Sequence, residues 1–251
     1  MNERFWDKIA SRFDEEIFDT LRNDLKKTII NHIERYSSEK ALACDFGCGV
    51  GRYLPVLSSR FKTVYAVDIS NECLELAQKN CHYLKNIIYL RADMSDPRYK
   101  MKQVQFAVSI NMLIMPSFQE RMVILRNIYK HLAMNGSLLL VIPSLESILY
   151  SISRLLEWNN RSGSKHDSDF AVNLSANKCH EQAILEGIIN LDGVETKHYL
   201  KEEISILLRR GGFQGVTISK VEYPWIVMFN SPPAWMKAPY PWDWLVICHK
   251  S

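Results

Sequence analysis

Short apolar runs alternate with amphipathic stretches from residue 41 to residue 142. Ala41 to Cys44, Thr63 to Ile69, a run starting at Ile87, Phe106 to Leu113 and Ser137 to Ile142 have the length and composition of strands. Runs this short and this apolar suit strands buried on both faces. Between them, apolar residues recur at helical spacing. Met122, Leu125, Ile128, Tyr129 and Leu132 form one stripe over Gln119 to Leu132, and Asn135-Gly136 after it reads as a left-handed C-cap. Asn71 to Asn80 reads as a helix capped by Ser70 or Asn71. Arg52 to Ser59 reads as a shorter helix, and Leu25, Ile29, Ile30 and Ile33 mark another over Asn23 to Tyr36. Strands alternating with helices predict an α/β fold with a parallel sheet covered on both faces.

After the fifth strand the alternation breaks. Leu145 to Trp158 reads as a helix, Asn159 to Asp169 as a polar, mobile loop, and Asn177 to Asn190 as a further helix. Lys201 to Arg210 is helical and ends at Gly211-Gly212, followed by two β-rich runs, Gly215 to Tyr223 and Trp242 to His249. The insertion from about 145 to 198 is long for a bare connection, and long structured loops tend to be functional. Trp225, Trp235, Trp242 and Trp244 crowd around a proline-pinned loop, Ser231 to Pro241. That surface reads as hairpin packing, an apolar wall for a hydrophobic substrate, or a dimer contact.

The sharpest chemistry lies at the end of the first strand, in Asp45-Phe-Gly-Cys-Gly-Val-Gly51. Glycines there let a ligand approach the backbone closely. Asp68 ends the second strand about 20 positions on, where an acid grips ribose hydroxyls in a βαβ unit. An adenosine-containing cofactor follows. A dinucleotide fits poorly: the third glycine of G-x-G-x-x-G is replaced by Arg52, and Asp45 would repel a pyrophosphate. S-adenosylmethionine (SAM) carries an ammonium and a sulfonium, both favourable beside Asp45.

Composition narrows the rest. The 251 residues, 47% hydrophobic and 24% charged, describe an ordinary globular chain able to bury a core without staples. A net charge of +3 without a basic run argues against a dedicated nucleic-acid binder. Six cysteines match no zinc spacing, the histidines are scattered, and no apolar run reaches membrane-spanning length, so we expect no metal, no membrane and a cytoplasmic location.

These residues resemble those of class I, Rossmann-like SAM-dependent methyltransferases of the small-molecule type, along most of the chain. The resemblance implies a seven-stranded, mostly parallel sheet with an antiparallel strand at the C-terminal edge. It implies one domain over 1–251, with N-terminal lid helices over about 1–36 and a cap at about 145–198. It assigns Asp45 to the methionine ammonium and Gly47, Cys48 and Gly49 to the methionine backbone. It assigns Asp68 to the ribose, Ile69 to the adenine face, and Asp93 with the Met94 backbone to the adenine amino group. Asn111 falls on the cofactor floor. Phe5 to Asp14 resembles the family's lid helix, with Phe13 where many members have tyrosine. Trp6, Phe13, Tyr199 and Trp225 become candidate substrate contacts, and His198 a candidate base or positioning residue. The expected reaction is in-line methyl transfer to a nitrogen, oxygen or carbon of a small molecule, by a monomer or homodimer. Alternatives are methylation of tRNA or protein, and a catalytically silent SAM-binding subunit.

Overall fold

The computed structural model describes residues 3–163, 166, 185–191 and 193–251. Four short helices lead in: α1 (Glu3–Ala10), α2 (Phe13–Glu16), α3 (Thr20–Asn23) and α4 (Thr28–Arg35). The alternating part follows as β1 (Ser38–Phe46), α5 (Leu54–Ser58), β2 (Phe61–Asp68), α6 (Asn71–Asn80), β3 (Ile87–Arg91), β4 (Val104–Ile110), α7 (Phe118–His131) and β5 (Leu132–Pro143). Then come α8 (Leu145–Ser162), the hairpin β6 (Ile188–Leu191) and β7 (Val194–Lys197), α9 (Lys201–Arg210), β8 (Gln214–Glu222) and β9 (Trp242–His249).

Seven strands form one sheet in the order β3-β2-β1-β4-β5-β9-β8. β9 runs antiparallel to both β5 and β8, so the one reversed strand lies second from the edge. Alternate residues of each central strand serve opposite cores. Cys44, Phe46, Ala107, Leu138 and Leu140 pack under α7 and α9. Ala43, Val64, Phe106, Val108 and Leu139 pack under α4, α5 and α6. Burial on both faces is why these strands read as continuous apolar runs. Strand order reverses between β1 and β4, and ligands of open α/β sheets bind at the carboxyl ends beside that switch. Asp45 and Asp68 stand there. The first residues of the reversed strand stand at the same edge, because Asp243 pairs with Pro143 at the end of β5.

Several expected elements differ. Of the helix expected over Asn23 to Tyr36 only α4 forms, because Asp24 turns back to accept from Ile29 N (2.8 Å) and Lys27 takes a φ of 52°. α7 ends without Asn135-Gly136, because Leu132 already pairs with Val104 as sheet. Asn135, at φ 60°, and Gly136 lie inside β5 where its register against β4 shifts. Asn159 to Ser162 complete α8, which Gly163 closes in the left-handed region, rather than opening a loop. Residues 164–165 and 167–169 of that expected loop lie outside the described residues. So do 177–184 of the helix expected over Asn177 to Asn190, and Ile188–Leu191 is a strand.

Candidate functional site

The chain leaves β1 at Phe46 and turns back sharply. Gly47 N and Cys48 N both donate to Val67 O of β2, at 2.8 and 3.0 Å. Gly49, at φ 51°, donates its N–H to Asp68 Oδ2 (2.8 Å). Ser70 N caps Asp68 Oδ1 at 2.9 Å. The β2 carboxylate is thus aimed by the glycine turn. Each oxygen keeps a lone pair for another donor. Burial raises the Asp68 pKa despite these hydrogen bonds.

Asp45 is 2% exposed, and its Oδ2 is buried without a hydrogen-bond partner. Burial first, then the charge of Asp68, push its carboxyl up to about 7. An orphaned carboxyl at a strand end is a place prepared for a cation. Beside it the chain's own packing requires glycine. A Cβ on Gly49 would stand 2.7 Å from Cζ of Phe13, and one on Gly47 would stand 3.1 Å from Cγ of Met112. These features fit an adenosine ligand that carries an ammonium, as SAM does.

The remaining cofactor candidates flank this center. Ile69 is half-buried directly after Asp68. Asp93 lies beyond β3 with an exposed carboxylate whose Oδ1 accepts from Ser95 N (2.7 Å) and Ser95 Oγ (2.6 Å), and Met94 is buried beside it. Asn111 follows β4 in the left-handed region, φ 51°, with its N–H on Val141 O and a buried, unpartnered Oδ1.

The N-terminal segment roofs the cradle, and Arg52 ties it down. Its guanidinium donates to Asp14 Oδ1 (2.8 Å), Ile17 O (3.0 Å) and Phe18 O (3.2 Å), and lies 5.1 Å from the centroid of the Phe13 ring. One planar fork thereby holds a whole turn of chain. Thr20 Oγ1 and Tyr53 Oη add a 2.6 Å bond. Trp6 lies 6.5 Å from Phe13, and Asp7 accepts from Ser70 Oγ at 2.6 Å, so α1 rests on the start of α6. The departure from a third glycine at position 52 was visible in sequence; its use as a clasp was not.

Three candidates stand elsewhere. Tyr199 is fully buried, with its hydroxyl on Leu113 O and its backbone bridging Pro143 and Leu145. It welds the cap to the end of β5 and offers no surface to a substrate. Trp225 is also buried, stacked on Phe229 at 5.5 Å and donating Nε1 to Lys237 O. With Leu155 and Met236 it forms a third, smaller core under α8, so hairpin packing accounts for it. His198 is 5% exposed, and burial lowers its pKa to about 4. Its contacts are Thr196 O and Gly187 O, in the cap hairpin, and not the strand-end acids.

The sequence reading missed a polar corner at the same sheet edge. Asp243, half-buried between Trp242 and Trp244, accepts from Tyr223 Oη at 2.9 Å. Burial raises its carboxyl to about 6, against the hydrogen bonds of Tyr223, the Asn111 side chain and the Ser144 backbone. Among the described residues no His/Cys/Asp/Glu group could hold a metal ion, and no helix is long and apolar enough to cross a membrane.

Comparisons with known proteins bear on the fold. Residues 43–136 match the family model of a methyltransferase domain. No curated protein sequence matches the chain. Among solved structures it is similar to a SAM-dependent methyltransferase of Methanosarcina mazei (18% identity, 87% of this chain and 96% of that one, TM-score 0.60). It is similar to the N-methyltransferase NodS of Bradyrhizobium japonicum bound to S-adenosyl-L-homocysteine (11%, 99% and 97%, TM-score 0.61). A Haloferax volcanii chain solved in a complex with a methyltransferase activator is a third (14%, 97% and 96%, TM-score 0.62). Residues 43–136 thus match a methyltransferase domain, and the chain has the fold of class I, Rossmann-like SAM-dependent methyltransferases.

Proposed function

We propose that this chain transfers the SAM methyl group to a nucleophilic atom of a small molecule. The observation that carries the reading is the tight roof over the glycine cradle, with the Phe13 ring against Gly49 and Arg52 clasping residues 14–18. A site roofed this closely by its own chain favours a small acceptor over a macromolecular surface.

In this reading Asp45 holds the methionine ammonium, Gly47 to Gly49 line the methionine, Asp68 binds the ribose hydroxyls, and Ile69, Asp93 and Met94 surround the adenine. When bound, SAM supplies a methyl group already activated by its positive sulfur. The protein's own work is then to orient the acceptor and exclude water, with Trp6 and Phe13 closing the roof. His198, neutral above about pH 5 and held in the cap hairpin, positions cap residues instead of taking a proton.

The second reading, a macromolecular acceptor or a SAM-binding subunit that works with a partner, draws on the activator-bound relative. Calorimetry with SAM, S-adenosyl-L-homocysteine and NAD tests the cofactor, and NAD should not bind. Incubation with labelled SAM and size-fractionated cell extract tests the acceptor. Label confined to small molecules supports the proposal. Label in RNA or protein, or transfer that depends on a copurifying protein, overturns it.

A further inference from the structure

Beyond the cofactor cradle, the carboxyl edge of the sheet holds a carboxylate without a counter-charge, Asp243, beside an amide oxygen without a donor, Asn111 Oδ1. Asp243 makes no ion pair with a Lys or Arg among the described residues, although burial raises the energy of its charged form. Tyr223 Oη donates one hydrogen bond to it, and the Asn111 side chain and Ser144 backbone contribute the others. Asn111 must turn its amide N–H₂ toward the carboxylate, since two oxygens would repel. That fixes which way the amide faces and leaves Oδ1 aimed away, buried and unpartnered. Its left-handed backbone, unusual for a residue other than glycine, holds the side chain in this place. The exposed ring of Phe18 stands edge-on to Tyr223 at 4.8 Å, so an aromatic wall flanks the same corner. Asp243 and Asn111 are half-buried as residues, while Asn111 Oδ1 itself is buried, so a ligand meets Asp243 at the edge and must displace side chains to reach the amide oxygen.

We propose that Asp243 and Asn111 Oδ1 form the acceptor subsite, and that they select a protonated amine. An ammonium offers several N–H donors and a positive charge. It satisfies the carboxylate, the orphaned amide oxygen and the face of an aromatic ring together. An alcohol offers one donor and no charge, and a carboxylate is repelled. Asp243 also gives the ammonium proton a place to go, onto a carboxylate oxygen, before the nitrogen lone pair is free to react. This rests on the methyltransferase reading above and adds the acceptor's chemical class to it.

The test uses the full chain saturated with S-adenosyl-L-homocysteine and three probes of one skeleton: phenethylamine, phenethyl alcohol and hydrocinnamate. Calorimetry and thermal shift should detect phenethylamine at least tenfold more strongly than the other two. Asp243→Asn should lose that preference while binding S-adenosyl-L-homocysteine as the wild type does, and Asp243→Glu should retain part of it. The inference is overturned if phenethylamine gives no response, if the alcohol or acid matches it, or if Asp243→Asn keeps the preference. The wild-type comparison decides the matter even where Asp243→Asn does not fold. Failure of the wild type to bind S-adenosyl-L-homocysteine at all would overturn the cofactor reading instead.

Discussion

Replacing Asp45 by Asn should make the ligand-free protein more stable at high pH and at the same time spoil cofactor binding. Asp45 is buried, its Oδ2 lacks a partner, and its carboxyl is raised from 3.8 to about 7. A shift of that size corresponds to about 4 kcal/mol, at about 1.36 kcal/mol per unit. The sign follows from linkage. Below pH 4 the carboxyl is protonated in both folded and unfolded chains, and nothing is lost. Between pH 4 and 7 the unfolded chain releases a proton that the folded chain keeps, so stability falls as pH rises. Above pH 7 the full cost is present. Asn has the same shape and no charge, but its buried amide costs about 1–3 kcal/mol at every pH. The pH-dependent part is therefore the clean signal. From pH 4 to 8 the stability of Asp45→Asn relative to wild type should rise by up to about 4 kcal/mol, near 10 °C in melting temperature for a chain of this length. Thermal and urea melts without cofactor measure it. Calorimetry should show wild-type SAM binding weakening as pH falls below about 7, and Asp45→Asn binding at least tenfold more weakly at pH 8. A stability difference that stays flat with pH, or a variant that loses ground at pH 8, would refute the reasoning.

Arg52→Ala removes the clasp on residues 13–18, so hydrogen exchange in the first 24 residues should quicken and SAM should dissociate several-fold faster, while the sheet amides stay protected. Gly49→Ala adds a Cβ 2.7 Å from the Phe13 ring at a φ of 51°, so SAM affinity should fall at least tenfold; the double variant with Phe13→Ala should recover part of it in calorimetry, because the ring is then gone and only the backbone strain remains. With His198 lowered to about 4, its loss should leave no change in the pH-rate profile between pH 6 and 8, and His198→Ala should act through a lower melting temperature of the cap.

The cofactor half of the sheet was legible because its signals are local. Asp45, the glycines and Asp68 fall within two consecutive strands, and parallel pairing of Asp45 with Ala66 brings them together whatever the rest of the chain does. Boundaries were less legible where tertiary pairing won. Asn135-Gly136 has the chemistry of a helix cap. Leu132 nevertheless pairs with Val104, and the cap residues are drawn into a strand. Tyr199 and Trp225 looked like wall residues for the same kind of reason: large aromatics near a site are expected to line it. Here each satisfies a backbone carbonyl, Leu113 O or Lys237 O, and fills a core.

Asp243 shows what no local pattern could reveal. It sits 198 positions after Asp45, between two tryptophans that read as packing, and nothing in its neighbours marks it as functional. Its meaning comes from one topological fact. The last strand enters the sheet reversed, beside β5, so its first residues and not its last arrive at the edge where β1, β2 and β4 end. A parallel last strand would have put Asp243 at the opposite, amino edge. The reversal instead delivers a carboxylate across from Asn111, with Tyr223, directly after β8, to hold it. The same edge then carries two kinds of acid. Those on β1 and β2 are bound to the glycine turn or stand beside it, where the proposed reading puts the cofactor. The one on β9 is supplied by the part of the chain outside the matched domain, residues 43–136, and so is free to differ with the acceptor. In the proposed reading cofactor binding lies in the first βαβ unit and acceptor choice in the reversed strand.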